Sequence, residues 1–188
     1  MVFGQKNVQN DSASPSTVYQ KEESAKIPFF YQFSDFVQPY QRLERGQSVN
    51  DGKTWDDPTI TIPLGFTMHF FEEEVDTLYL KPIQEGLGLV HDTAIAVAPA
   101  ILLYDVNLAD RALDILPLVG MQGSESPILF DTYGEEGSRT CIIEFRNAGF
   151  QADVYDNYQS VDHVTFQIRL IEGEDIIELH MGSHEISQ

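Results

Sequence analysis

The stretch Val164-Thr165-Phe166-Gln167-Ile168-Arg169-Leu170 alternates apolar and polar residues without a break. A period of two is the side-chain period of a β-strand, so Val164, Phe166, Ile168 and Leu170 share one face and Thr165, Gln167 and Arg169 the other. Four turn-forming residues, Glu172-Gly173-Glu174-Asp175, follow, and a second run sets Ile177, Leu179 and Met181 against Glu178 and His180. The two runs read as a β-hairpin with one buried and one wet face, which makes His180 a surface residue. Upstream, Cys141, Ile143 and Phe145 alternate with Thr140, Glu144 and Arg146, and Ile142 alone breaks the polar face. Glu144 and Arg146 carry opposite charges on that face and read as cross-strand partners.

From Ile27 onward, short apolar or alternating runs are punctuated by Gly, Pro, Asn and Asp. This pattern predicts strands at 29–33, 40–43, 59–63, 67–71, 77–80, 88–90, 95–97, 101–104, 128–133, 140–146, 164–171 and 176–181. One short helix is predicted over Asn107 to Leu116, with Asn107 as cap and Pro117 as stop. The first 26 residues are polar, Ser-rich and aperiodic, which predicts a flexible arm. The expected fold is therefore an all-β, antiparallel β-sandwich, jelly-roll-like, over 27–188, behind an arm over 1–26. A chain of 188 residues is long enough to bury one core without staples.

The chain holds 30 Asp and Glu against 11 Lys and Arg, a formal net charge of −19. Phosphate contacts need clustered basic residues, so nucleic acid is excluded as a partner. Anionic membrane surfaces are disfavoured on the same ground, and no run of 18 apolar residues would insert in a bilayer. The single cysteine, Cys141, rules out an intrachain disulfide. Val2-Phe3-Gly4-Gln5 matches the stub of a removed signal peptide, which points to an extracellular or cell-surface protein.

No catalytic template fits, and no catalytic residue is assigned. The histidines 69, 91, 163, 180 and 184 show no compact metal spacing. Cys141 lies on an apolar strand face and reads as a small core residue. No Gly-x-Ser-x-Gly elbow or phosphate loop exists. With so many acids, accidental carboxylate pairs carry no specificity for glycoside hydrolysis. Glu72-Glu73-Glu74 and Asp76 read as a solvated turn. Asp153, Asp156 and Asp162 fail the EF-hand pattern but could form an irregular Ca²⁺ site, as could Asp51, Asp56 and Asp57. Trp55, in a Gly/Asp-rich loop, reads either as a packed lid or, if exposed, as a glycan- or protein-binding patch with Tyr155 and Tyr158.

Several segments together resemble a known family. They are Ser126-Pro127-Ile128, the Gly-rich turn Gly134 to Arg139, Ile143-Glu144-Phe145-Arg146-Asn147-Ala148-Gly149-Phe150, Phe166-Gln167-Ile168-Arg169-Leu170-Ile171-Glu172-Gly173, and Ile177-Glu178-Leu179-His180-Met181-Gly182. Trp55-Asp56-Asp57, Ile62 to Phe66 and Asp105 with Leu108 to Arg111 are similar to its earlier segments. The pattern resembles a β-rich module of secreted Bacteroidota proteins of the type IX secretion pathway, nidogen-like in style. Thr165 replaces an Asn of that pattern, and Ile171 a Tyr. The resemblance implies an extracellular β-sandwich and brings no reaction with it. The sequence thus reads as a non-catalytic structural or adhesion module that self-associates into oligomers or filaments through its arm. A glycan-binding module or glycan-active hydrolase is the rival reading.

Overall fold

The structure, a computed structural model, describes residues 2–5, 31–83, 86–95, 100–104, 106–114, 120–156 and 161–187. The chain forms twelve strands among these residues: β1 (Val2–Gln5), β2 (Tyr31–Ser34), β3 (Gln47–Ser48), β4 (Ile60–Phe70), β5 (Glu73–Ile83), β6 (Gly86–Val90), β7 (Ile101–Tyr104), β8 (Leu108–Ala109), β9 (Ile128–Tyr133), β10 (Thr140–Phe150), β11 (His163–Ile171) and β12 (Ile176–Glu185). A large antiparallel sheet runs β2-β1-β12-β11-β10-β9-β3, with β8 added to the far end of β10, and a smaller one runs β4-β5-β6-β7. The expected all-β sandwich of antiparallel sheets is what the chain forms.

Alternation decides which faces meet. Along β4, Ile62, Leu64, Met68 and Phe70 point inward and are buried, while Thr61, Gly65, Thr67 and His69 point out. They pack with Leu78, Leu80, Leu87 and Leu89 against Cys141, Ile143, Phe145, Phe166, Ile168 and Leu170 of the large sheet in one continuous core. The rings of Phe145 and Phe166 stack at 4.8 Å between centroids. Burial pushes the Cys141 thiol up to about 12, consistent with a core residue.

Two strands predicted separately, 59–63 and 67–71, are one strand, β4. Pro63 and Gly65 sit in a register break between Pro63 and Met68, and Gly65 has φ +78°. A bulge on an edge strand accommodates a proline that the ladder would reject. The freed carbonyls meet side chains from the other sheet: Thr132 Oγ1 donates to Leu64 O (3.0 Å) and Arg139 Nη1 to Gly65 O (2.6 Å). Asp175, in the β11–β12 turn, accepts the His69 amide (2.7 Å).

Other expectations change. The helix predicted over 107–116 is replaced by the short strand β8 and a 3₁₀ turn at Arg111–Asp114, because Leu108 and Ala109 complete the β10 ladder. The helix lies instead at Gln151–Asp156 (α1), where Gly149 lets Val154 and Arg111 approach; a Cβ there would come within 2.6 Å of Val154 Cγ2. Residues 40–43 are irregular, and Ile95 also lies outside any strand, with 96 and 97 outside the described residues. Val2–Gln5, expected in the arm, pairs with β12 and β2, and residues 6–30 lie outside the described residues.

The turns of the large sheet are clasped by Arg139. Its Nε and Nη2 donate to the Glu172 carboxylate at 2.7 and 2.5 Å, and the amides of Gly137 and Arg139 donate to the same group. The Arg139 guanidinium also lies 5.8 Å from the centroid of the Phe66 ring. The hydrogen bond from Arg139 leads the effects that hold the Glu172 carboxyl at about 2, from an ordinary 4.5. A depressed carboxyl stabilises the fold above its unfolded pKa, and that contribution disappears as pH falls through the folded value. The melting-temperature difference between the wild type and E172Q should therefore hold steady from pH 7 to about 5 and narrow from there toward pH 2. Thermal melts across that range test it, and a difference that does not narrow contradicts the clasp.

Candidate functional site

Strand β10 is buried on both faces. Cys141, Ile143 and Phe145 face the second sheet, yet Ile142 and Glu144, on the opposite face, are 3% and 0% exposed. The expectation of a wet outer face is overturned because the irregular segment 35–46 covers it. Phe36 meets His180 edge-on at 5.0 Å. Gln167 Nε2 donates to Gln41 O (2.7 Å). Tyr40 lies against β12 at Gly182, where a Cβ would stand 3.0 Å from Tyr40 Cζ.

Under this cover lies a row of polar side chains in register across three strands, Glu144 on β10, Gln167 on β11 and His180 on β12. All three are buried. Glu144 Oε1 accepts the Tyr40 hydroxyl (2.8 Å); its Oε2 accepts the Leu43 amide (2.8 Å) and Arg146 Nη2 (3.0 Å). Arg146 Nη2 also donates to Leu43 O. Glu144 and Arg146 therefore pair along one strand instead of across two. Burial, and then the bond to Glu144, push the Tyr40 phenol above its ordinary range. His180 is no surface residue: its Nε2 bonds Glu178 Oε2 at 2.7 Å, and burial lowers its pKa despite that carboxylate.

A second polar hub lies at the end of β10. Asn147 adopts φ +54° at the register break of β10, a conformation asparagine tolerates better than most residues. Its amide donates to Thr165 Oγ1 (3.0 Å), its carbonyl accepts Ser126 Oγ (2.7 Å), its Nδ2 donates to Glu125 O (3.1 Å) and its Oδ1 accepts Arg111 Nη1 (2.8 Å). Buried Asp110 accepts Ser124 Oγ (2.5 Å) and the amides of Glu125 (3.0 Å) and Ala112 (2.9 Å). Motif segments distant in sequence thus meet in two networks on β10.

Trp55 belongs to the second network. It is 4% exposed, donates Nε1–H to Ser126 O at 2.5 Å and meets Phe145 edge-on. The packed-lid reading of Trp55 holds, because the indole N–H has a buried acceptor and its ring a core partner. Tyr155 is exposed on α1 as a whole residue but donates its hydroxyl to Asp56 Oδ2 (2.7 Å), and the partial desolvation of that end, followed by the bond, pushes the phenol up to about 12. The structure thus joins the Trp55 loop to α1 through Asp56 and turns the indole away from any exposed aromatic patch; Tyr158 lies outside the described residues. Asp153 is partly buried on α1, and Asp156 is its last residue. Asp162 accepts the Ser187 amide (2.9 Å) and hydroxyl (2.6 Å). Among the described residues no group of three or more His, Cys, Asp or Glu is placed to hold a metal.

Beside the Glu144 row opens a cleft of ≈ 350 Å³, lined by Tyr40, Arg42, Arg146, His163, Thr165 and Ser183 together with Asn147. The size is that of a small-ligand site. None of these residues was singled out as a ligand contact from sequence. Alternation places Thr165 and Arg146 on the outer face, but Tyr40 and Arg42 arrive on a segment with no period. A more open groove of ≈ 380 Å³, lined by Ser48, Asp51, Ile60, Pro63 and Phe130 among others, lies between β3 and β4.

Removing the Glu144 carboxylate leaves Arg146 and the Leu43 amide without their buried acceptor. Truncating one partner of a buried ion pair costs about 3–5 kcal/mol. E144A should lose about that much stability in urea unfolding, and a loss below about 1 kcal/mol would mean that segment 35–46 is not held by this group.

No helix among the described residues is long and apolar enough to cross a membrane. No curated protein and no solved structure matches the chain. A family model described as NIDO related matches residues 30–188, which takes in both networks and the cleft. The chain belongs to the NIDO-related family.

Proposed function

We propose that the protein is a non-catalytic extracellular module of structural or adhesive type, of the kind carried by exported Bacteroidota surface proteins. The observation that carries this reading is where the motif carboxylates go. Glu144, Asp110 and Glu172 each accept at least three hydrogen bonds from the chain itself, and each ties separate segments together. A general acid at neutral pH needs a raised pKa, whereas Glu172 sits at about 2. These groups hold a framework, and a framework suits a module that presents a surface. Membership of the NIDO-related family supports an extracellular setting.

Self-association fits the same reading. Strand β1 enters the large sheet with two register pairs to β12, Val2↔Glu178 and Phe3↔Ile177. An edge that accepts a strand from its own N-terminus can accept one from a neighbour. Subunits with a charge of −19 repel, and screening at physiological salt acts beyond about 8 Å. Oligomers or filaments formed through residues 1–26 should therefore grow with added salt or Ca²⁺. Light scattering on the full chain and on one beginning at Ile27 tests this; a monomer at every salt and Ca²⁺ level, or equal assembly without the arm, contradicts it. Catalysis is tested on a panel of polysaccharides. The reading expects no product release; turnover abolished by a single Asp or Glu substitution would overturn it, and retention without turnover would favour a glycan-binding module.

A further inference from the structure

The cleft beside Glu144 is chemically unlike the rest of the chain. In a protein with 30 acidic and 11 Lys and Arg side chains, its lining contains Arg42 and Arg146 and no carboxylate. Arg42 is exposed and makes no ion pair among the described residues. Arg146 has a side chain 17% exposed, and among the described residues only its Nη2 bonds the protein, with Nε buried and unpartnered. Buried donors are nearly always satisfied, and an unsatisfied one calls for an explanation.

The remaining lining adds hydroxyls and an imidazole nitrogen. Thr165 Oγ1 accepts the Asn147 amide and, at 3.4 Å, the Ser183 hydroxyl, which leaves its own proton to give. His163 Nδ1 lies 2.8 Å from Val161 O, an acceptor, so that Nδ1 carries the proton and, in the neutral ring, Nε2 is an acceptor for a ligand hydroxyl. The nearest acid in the framework, Glu144, has both oxygens committed to Tyr40, Leu43 and Arg146. Glu185, paired in register with His163, is exposed and does not line the cleft. Guanidinium groups beside hydroxyls are the usual recognition set for a carboxylate on a polar carrier.

We propose that this cleft is a binding site for the carboxylate of an acidic sugar, with Arg42 and Arg146 holding the carboxylate and Thr165 and Ser183 meeting the hydroxyls. The volume of ≈ 350 Å³ suits a monosaccharide unit, and the hydroxyl groups suit a carrier rich in hydroxyls. This deepens the adhesion reading by naming what the module holds.

The test is a ¹H–¹⁵N NMR titration of the full chain with galacturonate, galactose, inorganic phosphate and sulfate. Galacturonate should shift the Thr165 and Ser183 amides saturably, more weakly as salt rises, and galactose should not. R42A should lower the galacturonate association constant about tenfold, the effect of losing one charge-assisted contact. R45A removes an equal charge from an exposed residue outside the cleft and should change it little. No shift with galacturonate on the folded protein, equal binding of galactose, tighter binding of phosphate or sulfate, or equal losses in R42A and R45A would each overturn the proposal. Release of reducing ends from polygalacturonate, assayed separately, would instead overturn the non-catalytic reading, so the two fail separately.

Discussion

A carboxylate with no access to water is the constraint around which this protein is arranged. Glu144 is fully buried on an interior strand of the larger sheet, and an ionised group in such a place is tolerated only when its oxygens are filled by donors. The donors come from Tyr40, Leu43 and Arg146, two of them about a hundred residues away. Meeting the demand of one side chain therefore fixes the path of segment 35–46 across the sheet. The sandwich gains a third, irregular layer, and the buried row Glu144–Gln167–His180 becomes the interior of that layer.

The cleft is a by-product of the same arrangement. Arg146 gives one nitrogen to Glu144 and Leu43, and the covering segment brings Tyr40 and Arg42 over the strand ends. The break in β10 at Asn147 re-aims the backbone so that Thr165 both receives the Asn147 amide and lines the opening. Bulges next to functional surfaces commonly do this. At the opposite end, the Arg139–Glu172 clasp and the donors to β4 join the two sheets through their turns. The sandwich is thus held by its apolar core and by charged or polar groups at both ends.

Period-two alternation made the hairpin of β11 and β12, strands β9 and β10, and most of their inward faces legible, because those residues meet one apolar core; Met181, expected on the inward face of β12, is instead 46% exposed. Two things escaped it. Alternation reports only that a face is polar, and a polar face can be covered as well as wet: Gln167 and His180 have the pattern of solvent-facing residues yet are buried, because their partners sit on a non-periodic segment. Short elements such as β3, β8 and α1 are set by tertiary pairing and close approach at Gly149, which local pattern cannot register. Trp55 was ambiguous for a related reason, since a loop indole is a lid or a platform according to where an acceptor such as Ser126 O lies. Ile142, the one apolar residue breaking the polar face, was the visible sign that this face is closed.

Native-state hydrogen exchange at the Leu43 amide probes this arrangement most directly. Leu43 lies outside any strand, and its N–H donates to Glu144 rather than to a backbone ladder. If the buried carboxylate pins segment 35–46, that amide exchanges as slowly as those of Ile143 and Ile168 in the sheet, through the same cooperative opening. Exchange at the rate of an open loop would show that the segment lifts off freely and that Glu144 does not hold it.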